Sequence, residues 1–111
     1  MFNSPLPPIK CLFLESGEIV MGYHEQDKKG DHTLYDCKQC IVQVVEGNME
    51  VSLADFIPFA KEYNFKFKDQ KVITIFDAKP QLEQNYKVAT GNNVVESKTL
   101  TGGQQRGQVK K

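Results

Sequence analysis

Cys37-Lys38-Gln39-Cys40 is the first stretch whose residue types and spacing suit chemistry, because a Cys-x-x-Cys pair serves thiol–disulfide exchange or supplies half of a zinc site. Its surroundings fit neither use. Redox pairs of this kind open a helix, whereas this one lies in a run of strand character, where side chains three apart point to opposite faces. The further zinc ligands on offer, Cys11, His24 and His32, form no second paired motif. His24 and His32 flank a charged loop, a setting more typical of solvated histidines than of catalysts. Gly-x-Ser-x-Gly, a phosphate-cradling glycine loop and His-Glu-x-x-His are all missing from the sequence. The expectation is a binding module rather than an enzyme, with no metal and no cofactor.

The elements that would position such a module sit in a chain of 111 residues, 40% hydrophobic and 25% charged, enough for one domain. Its apolar runs fall far short of the ~20 residues that cross a bilayer, so no membrane partner is expected. Residues 1–8 are uncharged and hold three prolines, unlike a secretory leader, and three thiols are an odd number. Both features suit a reducing, cytoplasmic setting. The net charge of zero hides an asymmetry: residues 1–96 carry ten lysines against 14 acids, a balance of −4, while residues 97–111 carry four basic side chains and no acid. The expected division is a Pro-rich arm over 1–8, a folded body over 9–90 and a disordered basic tail over 91–111, which holds too few large apolar residues to offset ordering entropy.

Within the body, residues 9–14 and 19–25 read as a hairpin around Gly17, and 32–45 as a long strand with alternating polar and apolar residues. The stretch 51–67 is ambiguous between helix and strand. Pro58 would interrupt a helix, and Phe56, Ile57, Phe59, Phe65 and Phe67 favour extended structure. Residues 72–76, Val-Ile-Thr-Ile-Phe, form the clearest strand. Pro80 at a first helical turn, with Leu82, Tyr86 and Ala89 at helical spacing and Gly91 beyond, predicts a short helix. The tally is five strands and one helix.

The run Leu14-Glu15-Ser16-Gly17-Glu18-Ile19-Val20-Met21-Gly22, followed after a charged loop by Leu34-Tyr35-Asp36-Cys37, resembles the first motif of the Sm-like family. In that motif a turn glycine precedes a second glycine in a sharply bent strand, and a Leu-x-Asp strand comes later. Residues 5–90 as a whole look like the small Sm-like proteins of marine phages. The resemblance implies a mainly β fold, a five-stranded, strongly bent antiparallel SH3-like barrel, here with a short C-terminal helix in place of the family's N-terminal one. It also implies a homo-oligomeric ring in which the fourth strand of one subunit pairs with the fifth of the next. Those strands would cover about 54–60 and 71–77, with Phe56, Phe59, Val72, Ile73 and Ile75 at the subunit interface.

As a function the resemblance implies single-stranded RNA binding, as an RNA chaperone or ribonucleoprotein platform. The candidate residues are Lys28, Lys29 and His32 from the loop before the third strand, Lys68 and Lys71 before the last, and Asp27 as a base acceptor. The chain departs from the family pattern at several points. Glu18 stands where the family places a basic residue, Asp27 and His32 lie one residue further apart than the family's Asp-x-x-x-Asn, and no Arg-Gly precedes the last strand. Together with the acidic body, these departures leave open an oligomeric scaffold ring without RNA binding.

Overall fold

The computed structural model describes residues 6–91. Residues 92–111 of the tail expected over 91–111, and residues 1–5 of the arm, lie outside the described residues. Seven principal elements follow in order: β1 (Ile9–Leu14), β2 (Ile19–Gln26), β3 (His32–Val45), β4 (Asn48–Asp55), β5 (Phe65–Phe67), β6 (Val72–Phe76) and α1 (Pro80–Ala89). One turn of 3-10 helix over Asp69–Lys71 leads into β6. The strands form one antiparallel sheet in the order β4-β3-β2-β1-β6, with β5 pairing the start of β3. The fold is mainly β, a bent antiparallel sheet with one short C-terminal helix.

Alternation along the strands sends side chains to two cores. On the inner face Leu12, Leu14, Val20, Leu34 and Cys37 are buried, with Phe56, Phe65, Phe67 and Val72 packed against them. β6, at one end of the sheet order, and β5, which pairs the start of β3, both reach this one cluster, so the sheet curls around it. On the outer face Cys11, Met21, Tyr23 and Cys40 are buried beneath Tyr86 of α1, flanked by Leu53 and Leu82. Apolar residues on both faces of β1 to β3 therefore give one sheet two layers to stabilise it.

A bend at Gly22 makes the curl possible. Pairing between β2 and β3 shifts register between Met21 and Tyr23, at Gly22, and Asp36 on the opposing strand takes a φ of +53°. A Cβ at Gly22 would lie 2.7 Å from the Tyr35 carbonyl oxygen, so only glycine admits this approach. At the tip of the long hairpin, Glu46 and Gly47 both have positive φ, the two-residue turn that matches strand twist.

The structure corrects the sequence reading in the region 46–71. The fourth strand was expected over 54–60, but β4 spans Asn48–Asp55, because the tight turn places Asn48 directly opposite Val45 and pairing restarts at once. Residues 56–64 leave the sheet as a loop around Pro58 before β5 resumes, which makes six strands in place of five. Phe56 is consequently off the strand and turned inward, its ring 5.6 Å from that of Phe65 and 5.8 Å from that of Phe67. Phe59 sits in the loop, 91% exposed. The helix is placed as expected, although Ala89 faces solvent while Leu82 and Tyr86 pack on the sheet.

Candidate nucleic-acid interface

The loop between β2 and β3 is shaped by Asp27. Its Oδ1 accepts the backbone N–H groups of Lys29 at 2.9 Å and Asp31 at 3.0 Å, a side-chain-closed turn that leaves Lys28 and Lys29 pointing outward at its tip. Gly30, with φ +93°, completes the turn and donates its N–H to the Asp27 carbonyl. Desolvation alone would raise the Asp27 carboxyl, but the Asp31 N–H, Lys66 and the Lys29 N–H outweigh it and hold the group below its ordinary value.

Residues 66–71 close against this loop. Asp31, nearly buried, accepts the backbone N–H of Asp69 at 3.3 Å, while Lys68 Nζ lies 3.6 Å from its other oxygen. Lys66 Nζ lies 3.4 Å from Asp27. His32 is fully buried, its Nε2 2.7 Å from Asp69 Oδ1 and its Nδ1 2.9 Å from His24 Nε2. The two imidazoles stack with centroids 5.1 Å apart. Asp69 fixes the Nε2–H tautomer of His32, so that its Nδ1 accepts the His24 Nε2–H. A buried His32 thus pins together two loops whose residues lie 37 positions apart in sequence.

Of the six residues expected at an RNA site, Asp27, Lys28, Lys29, His32 and Lys68 belong to this joined pair of loops. Lys71 turns away to the β1–β2 hairpin, its Nζ 3.2 Å from Glu15. Asp31, Lys66, Asp69 and His24 belong to the site and were missed; only the chain's return through residues 65–71 brings them there. Lys66 and Lys68 are matched by acids, whereas Lys28 and Lys29 at the loop tip have no ion pair among the described residues. The free positive charge of the site is therefore at its outer rim.

His24 adds a pH dependence. Desolvation first, then His32 and Lys10, lower its pKa below 6.5, with Glu25 opposing. The folded state then binds fewer protons at His24 than the unfolded chain does, so stability rises with pH through this window and falls as pH drops through the unfolded-state value. The unfolding temperature is expected to decrease between about pH 7.5 and about pH 5.5, and His24→Gln, which keeps a donor toward His32, to flatten that decrease. Circular-dichroism melts of both proteins check this.

The cysteines divide as period-two alternation dictates. Cys37 enters the inner core and Cys40 the outer, so the Cys-x-x-Cys pair does not converge. Cys40 instead meets Cys11 on the outer face; the hydrogen bond between them, together with burial, pushes the Cys11 thiol up. Among the described residues no group of three or more His, Cys, Asp or Glu side chains is arranged to hold a metal ion. No described helix is long and apolar enough to cross a membrane.

No family model matches the chain, and no curated protein does. Among solved structures it is similar to a heptameric archaeal Sm protein at 12% identity and a TM-score of 0.41, over 67% of this chain and 90% of that one.

Proposed function

We propose that this protein is a non-catalytic, ring-forming binding module of the Sm-like kind that takes single-stranded RNA on the rim formed by residues 27–32 and 66–69. The observation that supports the reading is the His32–Asp69 junction, which joins the loop that carries Asp27, Lys28 and Lys29 to the segment that carries Lys66 and Lys68. Lysines at such a rim contact phosphates, and repetition around a ring multiplies weak contacts into useful avidity. Assembly is supported by the sheet itself. In the described chain β4 pairs only β3 and β6 pairs only β1, which leaves one unpaired edge at each end. Joining β4 of one copy to β6 of the next satisfies both edges with a repeating heterologous contact that closes into a ring. Val72, Ile73 and Ile75 then lie at the junction, with Phe56 and Phe59 contributing only from the adjoining loop.

Filter binding of short oligo-U and oligo-A at two salt concentrations tests the RNA part. Micromolar binding at low salt is expected, and Lys28→Ala with Lys29→Ala should lower the slope of log Kd against log salt by about 1.4, roughly 0.7 for each lost phosphate contact. Both lysines are exposed, so the fold is unaffected. Failure to bind at low salt favours instead a scaffold ring for a protein partner, the reading supported by the −4 balance of residues 1–96.

A further inference from the structure

The β3–β4 hairpin is longer than the body needs. Pairing of β2 with β3 ends where Ile19 meets Cys40, yet β3 and β4 continue as a two-stranded ribbon through Val45 and Asn48. Cross-strand partners share a face, which sorts the ribbon cleanly. One face carries Gln43 opposite Glu50, Ile41 opposite Ser52 and Val45 opposite Asn48; the other carries Val42 opposite Val51 and Val44 opposite Met49, apolar throughout. Val44 and Met49 are each 73% exposed. This apolar face continues the Cys40–Leu53 pair, so it is an extension of the outer, helix-bearing core that α1 leaves uncovered.

We propose that a second copy of this chain covers the ribbon's apolar face, as part of the same contact that joins β4 to a neighbour's β6. The inference rests on the ring reading and adds its second surface. Three observations favour this occupant. The patch borders an unpaired strand edge. In a sheet running on between copies, the outer face must meet the outer face. On β6 that face carries Phe76, paired with the outward Cys11 and 39% exposed in the single chain. A neighbour's Phe76 therefore arrives on the side where Val42, Val44, Met49 and Val51 await cover. Finally, β6 has five residues, and a pairing that short falls well below the ~800 Å² per partner typical of a stable interface, so an adjoining apolar contact is needed. A contiguous exposed patch of this kind marks an interaction surface.

The test is the double variant Val44→Lys with Met49→Glu, which places an attracting pair at directly opposed positions and so preserves the ribbon. Native mass spectrometry and light scattering at micromolar concentration are compared for the full chain and the variant, with circular dichroism confirming the fold. The expected result is an oligomeric wild type and at least a tenfold loss of assembled species in the variant. Gln43→Lys on the opposite face, which sets an attracting charge across from Glu50, should leave assembly unchanged. If the charged pair disturbs the ribbon, Val44→Thr with Met49→Gln supplies the same readout without charge. An oligomer unchanged by both apolar-face variants overturns the ribbon contact, leaves the strand-edge ring standing and assigns the patch to a different partner. A monomeric wild type overturns both.

Discussion

Replacing Gly22 with alanine is expected to destabilise the fold by about 3 kcal/mol, at the upper end of the cost of overpacking, and to lower the unfolding temperature on the order of 15 °C for a domain of this size. The added methyl would sit 2.7 Å from the Tyr35 carbonyl oxygen and 3.1 Å from Leu34 Cβ, contacts with backbone and with a fully buried side chain. Neither neighbour has room to retreat. Leu34 fills the inner core, while the Tyr35 oxygen accepts a hydrogen bond from the Tyr86 hydroxyl at 3.1 Å on the outer side. The strand bends here, between the last outward residue of one register, Met21, and the first of the next, Tyr23. Alanine must either open the β2–β3 ladder or flatten the curl that brings β5 and β6 to one core. Circular-dichroism melts measure the cost, and a change of less than about 2 °C would show that the close approach is not required.

Gly22 also shows why so much of the fold was legible. β1, β3 and β6 begin and end at the residues expected, because each is bounded by a local signal: Gly17 with φ +100°, the charged loop closed by Gly30, and Asp77 ahead of Pro80. The region 46–71 lacked such signals. Asn48, Met49 and Glu50 have little strand propensity of their own and are extended only because Val45, Val44 and Gln43 stand opposite them across a tight turn. Phe56 and Phe59 have the propensity without a partner strand, so one folds into the core and the other is left in solvent. The site followed the same rule. Asp27 and the lysines at its loop tip were readable, but the hydrogen bond of His32 to Asp69 depends on a return of the chain that no local pattern encodes. The meeting of Cys11 with Cys40 was hidden for the same reason, since the two strands are separated by β2.

The second large effect concerns α1. Tyr86→Ala is expected to cost about 4 kcal/mol, in the range for removing a buried aromatic side chain. The ring is fully buried and meets Tyr23 edge-on at 5.7 Å, and its hydroxyl donates to the carbonyls of Tyr35 at 3.1 Å and Asp36 at 2.6 Å. Burial first, then Asp36, Tyr23 and Cys37, push this phenol up, so it remains a donor across ordinary pH. The Asp36 contact has a particular consequence. Asp36 holds a left-handed φ of +53° in the middle of β3, and its conformation is fastened from two sides: the Tyr86 hydroxyl at its carbonyl and Asn64 Oδ1 accepting its N–H at 3.2 Å. One tyrosine thus anchors the helix and locks the irregular point at which β3 passes from pairing β5 to pairing β4. Tyr86→Phe separates the two roles, retaining the ring and losing the hydroxyl, and should cost about 1.5 kcal/mol. Denaturant titration of wild type, Tyr86→Phe and Tyr86→Ala reads the steps in that order. Equal stability for all three would make α1 an appendage rather than the lid of the outer core, and the ribbon face beyond it would lose the structured edge from which it extends.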